Sequence, residues 1–135
     1  MTRHLRLTRF WRAILGGIEV GKLTFKELFR PKLLDKSKKQ TLRRHRQRGD
    51  TLHIWCPDPR NNPNAVKLGI SKKWTQVAIR GRDVTDEIAW ADGFNSRTEL
   101  IDWFMKTYDD IKSVTSFNMQ IIYKINWEWT DGPNA

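Results

Sequence analysis

The residues best suited to chemistry lie in one run. Lys38, Thr41 and Arg43 fall at i, i+3 and i+5 inside Ser37-Lys38-Lys39-Gln40-Thr41-Leu42-Arg43-Arg44-His45-Arg46-Gln47-Arg48, the densest basic stretch of the 135-residue chain. On an extended strand Thr41 and Arg43 share a face and Lys38 points away, unless a turn or bulge intervenes. If Ser37-Lys38-Lys39 is a turn, the Lys38 amine can swing to the Thr41 hydroxyl. Burial and neighbouring cations lower a lysine pKa, and such an amine can deprotonate a threonine. Lys39, Arg43, Arg44, Arg46 and Arg48 supply the cations. The same five suit contacts to nucleic-acid phosphates. A fully solvated face with an ordinary lysine fits the spacing as well.

Charge distribution favours a polyanionic partner. Residues 1–48 carry 15 Lys/Arg against 3 Asp/Glu, and residues 49–135 carry 10 against 12. A basic third joined to a near-neutral remainder is the electrostatic pattern of a nucleic-acid binder. Cys56 is the only cysteine, so no internal disulfide forms and a reducing, cytoplasmic location is expected. His4, His45 and His53 are too scattered for a metal motif. No Gly-rich phosphate loop occurs, so neither a metal nor another cofactor is expected. The apolar run near the N-terminus is interrupted by Arg12, which argues against a signal peptide, a membrane span and a membrane partner.

These residues need elements to position them. Arg3, Arg6, Arg9 and Arg12 recur with Leu7, Phe10, Trp11 and Ile14 at helical spacing, predicting a basic helix over 3–15. Residues 22–26 alternate as a strand, and 27–35 form a short helix or turn with Pro31 in its first turn. Strands follow over 51–55, 65–70 and 74–80, with a Pro-rich loop at 56–64 and a turn region or strand end at 82–87. Ser96 and Glu99 read as a capping box opening a helix to residue 108, with Leu100, Trp103, Phe104 and Tyr108 as its apolar stripe. A last strand over 119–129 places Ile121, Tyr123, Ile125, Trp127 and Trp129 on one face. The order predicts an α+β fold, a small barrel of five or six mostly antiparallel strands with flanking helices.

Residues 23–125 resemble the ASCH domain of the PUA-like superfamily. Lys38-Lys39-Gln40-Thr41-Leu42-Arg43 is similar to its Gly-x-Lys-x-x-Thr-x-Arg signature, with Ser37 in place of the glycine. Gly49-Asp50-Thr51-Leu52 matches the Gly-Asp entry to the next strand, and Ala91-Asp92-Gly93-Phe94 the acidic-Gly-Phe element before a helix. The resemblance divides the chain into a basic helical extension, 1–21, and a PUA-like domain, 22–130. It implies a PUA-like barrel with a cleft at the signature strand, and RNA or a nucleotide-like ligand as partner, with DNA as an alternative. It also implies a second reading, a small hydrolase acting on N4-acetylcytidine-type amides or on RNA. The catalytic set would then be Lys38, Thr41 and Asp92, with Asp standing where the family commonly has Glu. A third reading is a protein interaction module built on the N-terminal helix.

From the residues themselves, Asp92 suits a partner that orients the lysine or moves a proton, and equally a turn carboxylate before Gly93. Trp55 and Trp74 stand at strand ends beside Pro57 and Lys72-Lys73, where an indole can stack on a base or simply pack. Trp90 precedes Asp92 and is expected to wall the cleft, whereas Trp103 is expected in the core.

Overall fold

A computed structural model describes residues 18–130. The basic helix expected over 3–15, most of the 1–21 extension and the tail 131–135 lie outside the described residues. Strand β1 is Val20–Thr24. A 3-10 turn, Glu27–Phe29, runs into helix α1, Arg30–Leu34, with Pro31 in its first turn as expected. Strands β2, Gln40–Arg43, and β3, Thr51–Cys56, follow. After the Pro-rich loop come β4, Val66–Arg80, and the helices α2, Asp86–Asp92, α3, Arg97–Thr107, and α4, Val114–Met119. Strand β5, Ile121–Thr130, closes the order. The fold is α+β. No helix among the described residues is long and apolar enough to cross a membrane.

The five strands form one sheet in the order β1-β3-β4-β5-β2, parallel only between β1 and β3. Strands β1 and β2 are therefore its two edges. A flat sheet would hold such edges about 19 Å apart, four spacings of about 4.8 Å. Yet the Arg43 guanidinium on β2 donates to the Thr24 carbonyl on β1 at 2.6 Å. The sheet must curve strongly for one side chain to span the gap. The edges meet through that side chain and not through a backbone ladder, so the sheet is not closed.

Three expectations are corrected. Residues 65–70 and 74–80 belong to one strand, β4, whose register against β5 shifts between Ile70 and Lys73. Lys72 and Lys73 look like a break because they are charged, but they are exposed at the irregularity while Ser71 between the halves is buried. In β5 the buried residues are Ile122, Ile125 and Trp127, and Ile121 is exposed. Ile122 and Ile125 differ in parity, so each face of that strand is covered over only part of its length. Helices α2 and α4 stand where the sequence predicts none. Thr85 caps α2 by accepting from the Ile88 N–H at 3.2 Å, and Ser113 caps α4 from the Ser116 N–H at 3.0 Å. Each helix is too short for its apolar periodicity to register.

Helix α3 begins where the capping signal lies. Ser96 Oγ accepts from the Glu99 N–H at 3.1 Å, and Glu99 reaches back to the Asn95 N–H at 3.3 Å. Leu100 and Phe104 from α3 join Leu23, Leu52, Ile54, Phe117 and Ile125 in the core.

Glycines at two positions let the basic loop approach β1. Gly49 has φ +124°, and a Cβ there would collide with the Gly21 backbone. A Cβ at Gly21 would overlap the Arg48 carbonyl oxygen. Gly21→Ala and Gly49→Ala should each lower stability by about 1–3 kcal/mol, which is at least about 4 °C in Tm for a domain of this size. A thermal melt showing either variant at the parent Tm would contradict the packing described.

Candidate functional site: a buried ion pair beneath an aromatic cavity

Lys38 enters the interior because α1 ends in a reversal. Lys36 takes a left-handed φ of 65°, its N–H donates to the Leu33 carbonyl, and Asp35 accepts from the Ser37 N–H at 2.8 Å. The turn is Asp35–Lys36, and residues 37–39 follow it as irregular chain before β2, so Lys38 swings inward there but to Asp92 and not to the Thr41 hydroxyl. Lys38 is 2% exposed. Trp129 Nε1 donates to its carbonyl at 3.0 Å, and the Trp127 N–H donates to the next one, Lys39, at 3.0 Å.

Asp92 is delivered from the opposite side by the end of α2. Gly93 has φ +105°, a left-handed position that a Cβ would strain. The Gly93 N–H donates to the Trp90 carbonyl at 3.0 Å, and the Phe94 N–H to the Ala89 carbonyl at 2.9 Å. This is a Schellman cap, which explains the Asp-Gly-Phe order. Phe94 then packs edge-on against Phe29, with ring centroids 6.1 Å apart.

The two charges meet in the interior. Lys38 Nζ donates to the Asp92 backbone carbonyl and, at 3.2 Å, to Asp92 Oδ1. It lies 4.6 Å from the Phe29 ring centroid. One ammonium thereby caps the C-terminus of α2 and neutralises the carboxylate on its last residue. Burial pushes the Asp92 carboxyl up to about 6, against the opposing pull of Lys38, Arg43 and the Leu42 N–H. Burial also draws the Lys38 amine below the ordinary lysine value, with the Asp92 carboxylate resisting.

Thr41 and Arg43 share a face of β2, as strand geometry requires. Arg43 Nε donates to Thr41 Oγ1 at 3.1 Å, and the guanidinium lies 4.7 Å from the Phe25 ring centroid. Desolvation lowers the Arg43 pKa, but a guanidinium stays charged. Thr41 and Asp92 line a common cavity of about 240 Å³ with Arg43, Thr24, Lys26 and Asp58. Phe25, Phe29, Trp103 and Tyr108 supply its aromatic walls. The structure thus brings Lys38 to Asp92, and Thr41 to Arg43. No hydrogen bond joins Lys38 to Thr41 directly.

The remaining site candidates separate. Arg44 is committed to Asp110 through two bonds of 2.8 and 2.6 Å and stacks over Tyr108. Lys39, Arg46 and Arg48 are exposed or partly so, and none of them lines the cavity. The loop that carries Arg46 and Arg48 is held to β4 by Gln47, whose N–H donates to Gln76 at 2.7 Å, and by Trp74 Nε1, which donates to the Gly49 carbonyl at 3.1 Å. Trp55, Trp74 and Trp90 do not line this cavity. Trp55 alternates with the buried Ile54 and Cys56 and so faces the other way. Trp90 is 56% exposed and gives its indole N–H to the Asn95 carbonyl at 2.6 Å. Trp103, expected in the core, packs against it beside Phe104 and is also the tryptophan of the cavity. Sequence reasoning does not single out Phe25, Phe29, Tyr108, Lys26 or Asp58, because aromatic residues at strand and helix ends carry the same pattern whether they fill a core or wall a cleft. Comparison of the chain with protein-family models, with curated proteins and with solved structures returns no match.

Removing one member of a buried pair strands the other charge, at about 3–5 kcal/mol. Lys38→Met, which leaves the buried Asp92 carboxylate without its cation, should show that loss in chemical denaturation at neutral pH, and Lys38→Met/Asp92→Leu should recover much of it. Additive losses in the double variant would show that the pair is not coupled. Asp92 titrates above its unfolded value of 3.8, near 6. The folded state therefore holds the extra proton between those values. Its contribution to stability is full below about 4 and is lost as pH rises through 6. Carbon NMR of the Asp92 carboxyl should read about 6 in the parent and higher in Lys38→Met.

Proposed function

We propose that this chain binds RNA or a nucleotide-like ligand, seating one base in the cavity between β1 and β2. The observation that carries this reading is the composition of the cavity. Four aromatic rings surround a small polar set, Thr41, Arg43 and Asp92. Flat apolar walls with a few fixed polar groups suit a planar heteroaromatic ring. At about 240 Å³ the space lies below the roughly 300–1,000 Å³ of drug-sized pockets, so it takes one base and not a stack. Arg46 and Arg48 supply cations on the loop that follows the site, the place for a phosphate backbone. The curved sheet is in keeping with a partly opened PUA-like barrel, and the resemblance of the signature segment to ASCH domains points the same way.

Trp103→Ala should weaken binding of nucleosides and of short single-stranded RNA by about 1–3 kcal/mol, the usual worth of a base–aromatic stack. Each phosphate that a cation neutralises contributes about 0.7 to the log–log salt slope of single-strand binding. Arg46→Ala/Arg48→Ala should therefore flatten that slope by up to about 1.4. Arg44→Ala should change it less, because Arg44 is already neutralised by Asp110. Filter binding across a salt series checks both, and a Trp103 variant with parental affinity would remove the base from the cavity.

A second reading is favoured by one observation. A carboxyl held at about 6 in a cavity that Thr41 also lines can exchange its proton near neutral pH, as amide hydrolysis requires. In this reading Thr41 Oγ attacks the acyl carbon and gives up its proton to the Lys38–Asp92 pair. The same pair protonates the departing cytidine amine, and water then cleaves the Thr41 ester. Arg43 would face the developing oxyanion. Thr41→Val should abolish release of acetate from N4-acetylcytidine and leave the fold intact. Absence of turnover by the parent protein would leave binding as the whole function.

A further inference from the structure

The cavity is graded from its floor to its mouth. Phe25, Phe29, Thr41, Leu42 and Asp92 are buried. Trp103, Thr107, Tyr108 and Asp58 are partly exposed, and Lys26 is exposed. A base therefore belongs at the inner end. Any group that must keep its hydration belongs at the outer one, because an ionised phosphate is costly to bury.

Most cations near the mouth are already committed. Arg60 is held by Asp58 at 2.6 Å, and Arg44 by Asp110 through both of its terminal nitrogens. Arg43 lies inside, with Nε on Thr41 and one terminal nitrogen on the Thr24 carbonyl. Lys26 is different. Its amine stands 5.3 Å from the Trp103 ring centroid and makes no ion pair among the described residues. The two carboxylates of the lining are each answered by a cation, Asp58 by Arg60 and Asp92 by Lys38. Lys26 is thus the lining's cation at the mouth without an ion pair among the described residues, while Arg43 lies inside within the field of Asp92 and Asp58.

We infer that Lys26 is the phosphate anchor of this site, so that its ligand is a phosphorylated nucleoside unit, with the base inside beside Arg43 and the phosphate at the mouth over Trp103. This rests on the nucleotide reading above and adds the ligand's charge state and orientation. A free nucleotide and a link in a strand present the same phosphate chemistry to Lys26.

The test is equilibrium binding of the four ribonucleosides, their 5′- and 3′-monophosphates and trinucleotides with the matching central base, followed by Trp fluorescence. In the parent, one monophosphate series should bind about tenfold more tightly than its nucleosides at low salt, the gain expected of a charged hydrogen-bonded contact. The gap should narrow as salt rises. Lys26→Met keeps an apolar stem on Trp103. It should close the gap between monophosphate and nucleoside to within about twofold, while Lys26→Arg should keep the gap. A trinucleotide that outbinds the monophosphate identifies the strand as the source, and equal binding identifies the free nucleotide. Equal affinity of nucleosides and monophosphates for the parent overturns the Lys26 assignment and leaves the cavity reading standing. So does a gap that survives Lys26→Met, or one that is lost only in Arg43→Gln. Failure of the parent to bind any of these ligands overturns both.

Discussion

The Lys38–Asp92 pair is the constraint on which the arrangement of this site depends. A buried ammonium and carboxylate need each other, because the desolvation of either alone exceeds what packing can offset. Here the pair joins the segment just before β2 to the last residue of α2, 54 positions away. Neither element could shift by an ångström without stranding a charge. Apolar residues of similar shape could match the pair in stability, so its value lies in the geometry it specifies.

That geometry extends outward from the pair. Gln40 on β2 donates to the Ile88 carbonyl of α2 at 2.9 Å, so the helix covers a strand edge that would otherwise be open. Phe29 lies under the lysine and carries Phe94 and Trp103 in edge-to-face contact. The aromatic wall of the cavity is therefore built on the same ring that receives the buried ammonium. Arg43 completes the frame by spanning the gap between the edge strands. A positive charge placed over Phe25 and bonded to a carbonyl holds the sheet curved while leaving room inside.

The electrostatic consequence is a site that is net positive yet holds one carboxyl able to exchange a proton near neutrality. Asp92 is raised by burial and held down by two cations and a backbone N–H. A cationic ligand would meet Arg43 and Lys26 in the same space, so the aromatic walls do not make a cage for ammonium groups. They suit a neutral or anionic planar ligand.

Much of the local structure is legible in the sequence. Pro31 in the first turn of α1, the Ser96 cap of α3 and the alternation of 51–55 act over a few residues and can be read there. Lys38, Thr41, Arg43 and Asp92 stand out by type and spacing, and the shared face of Thr41 and Arg43 follows from strand geometry alone. The tertiary structure decides which of them touch. It gives Lys38 to Asp92 and leaves Thr41 to Arg43. It joins two expected strands into β4, turns Trp90 outward and gives Trp103, packed against the core, a second part in the cavity wall. The physical reason is range. Caps, turns and alternation are set by neighbours within a turn or two, whereas burial, ion pairing and the walls of a cleft depend on residues that meet only when a sheet curves and its helices close over it.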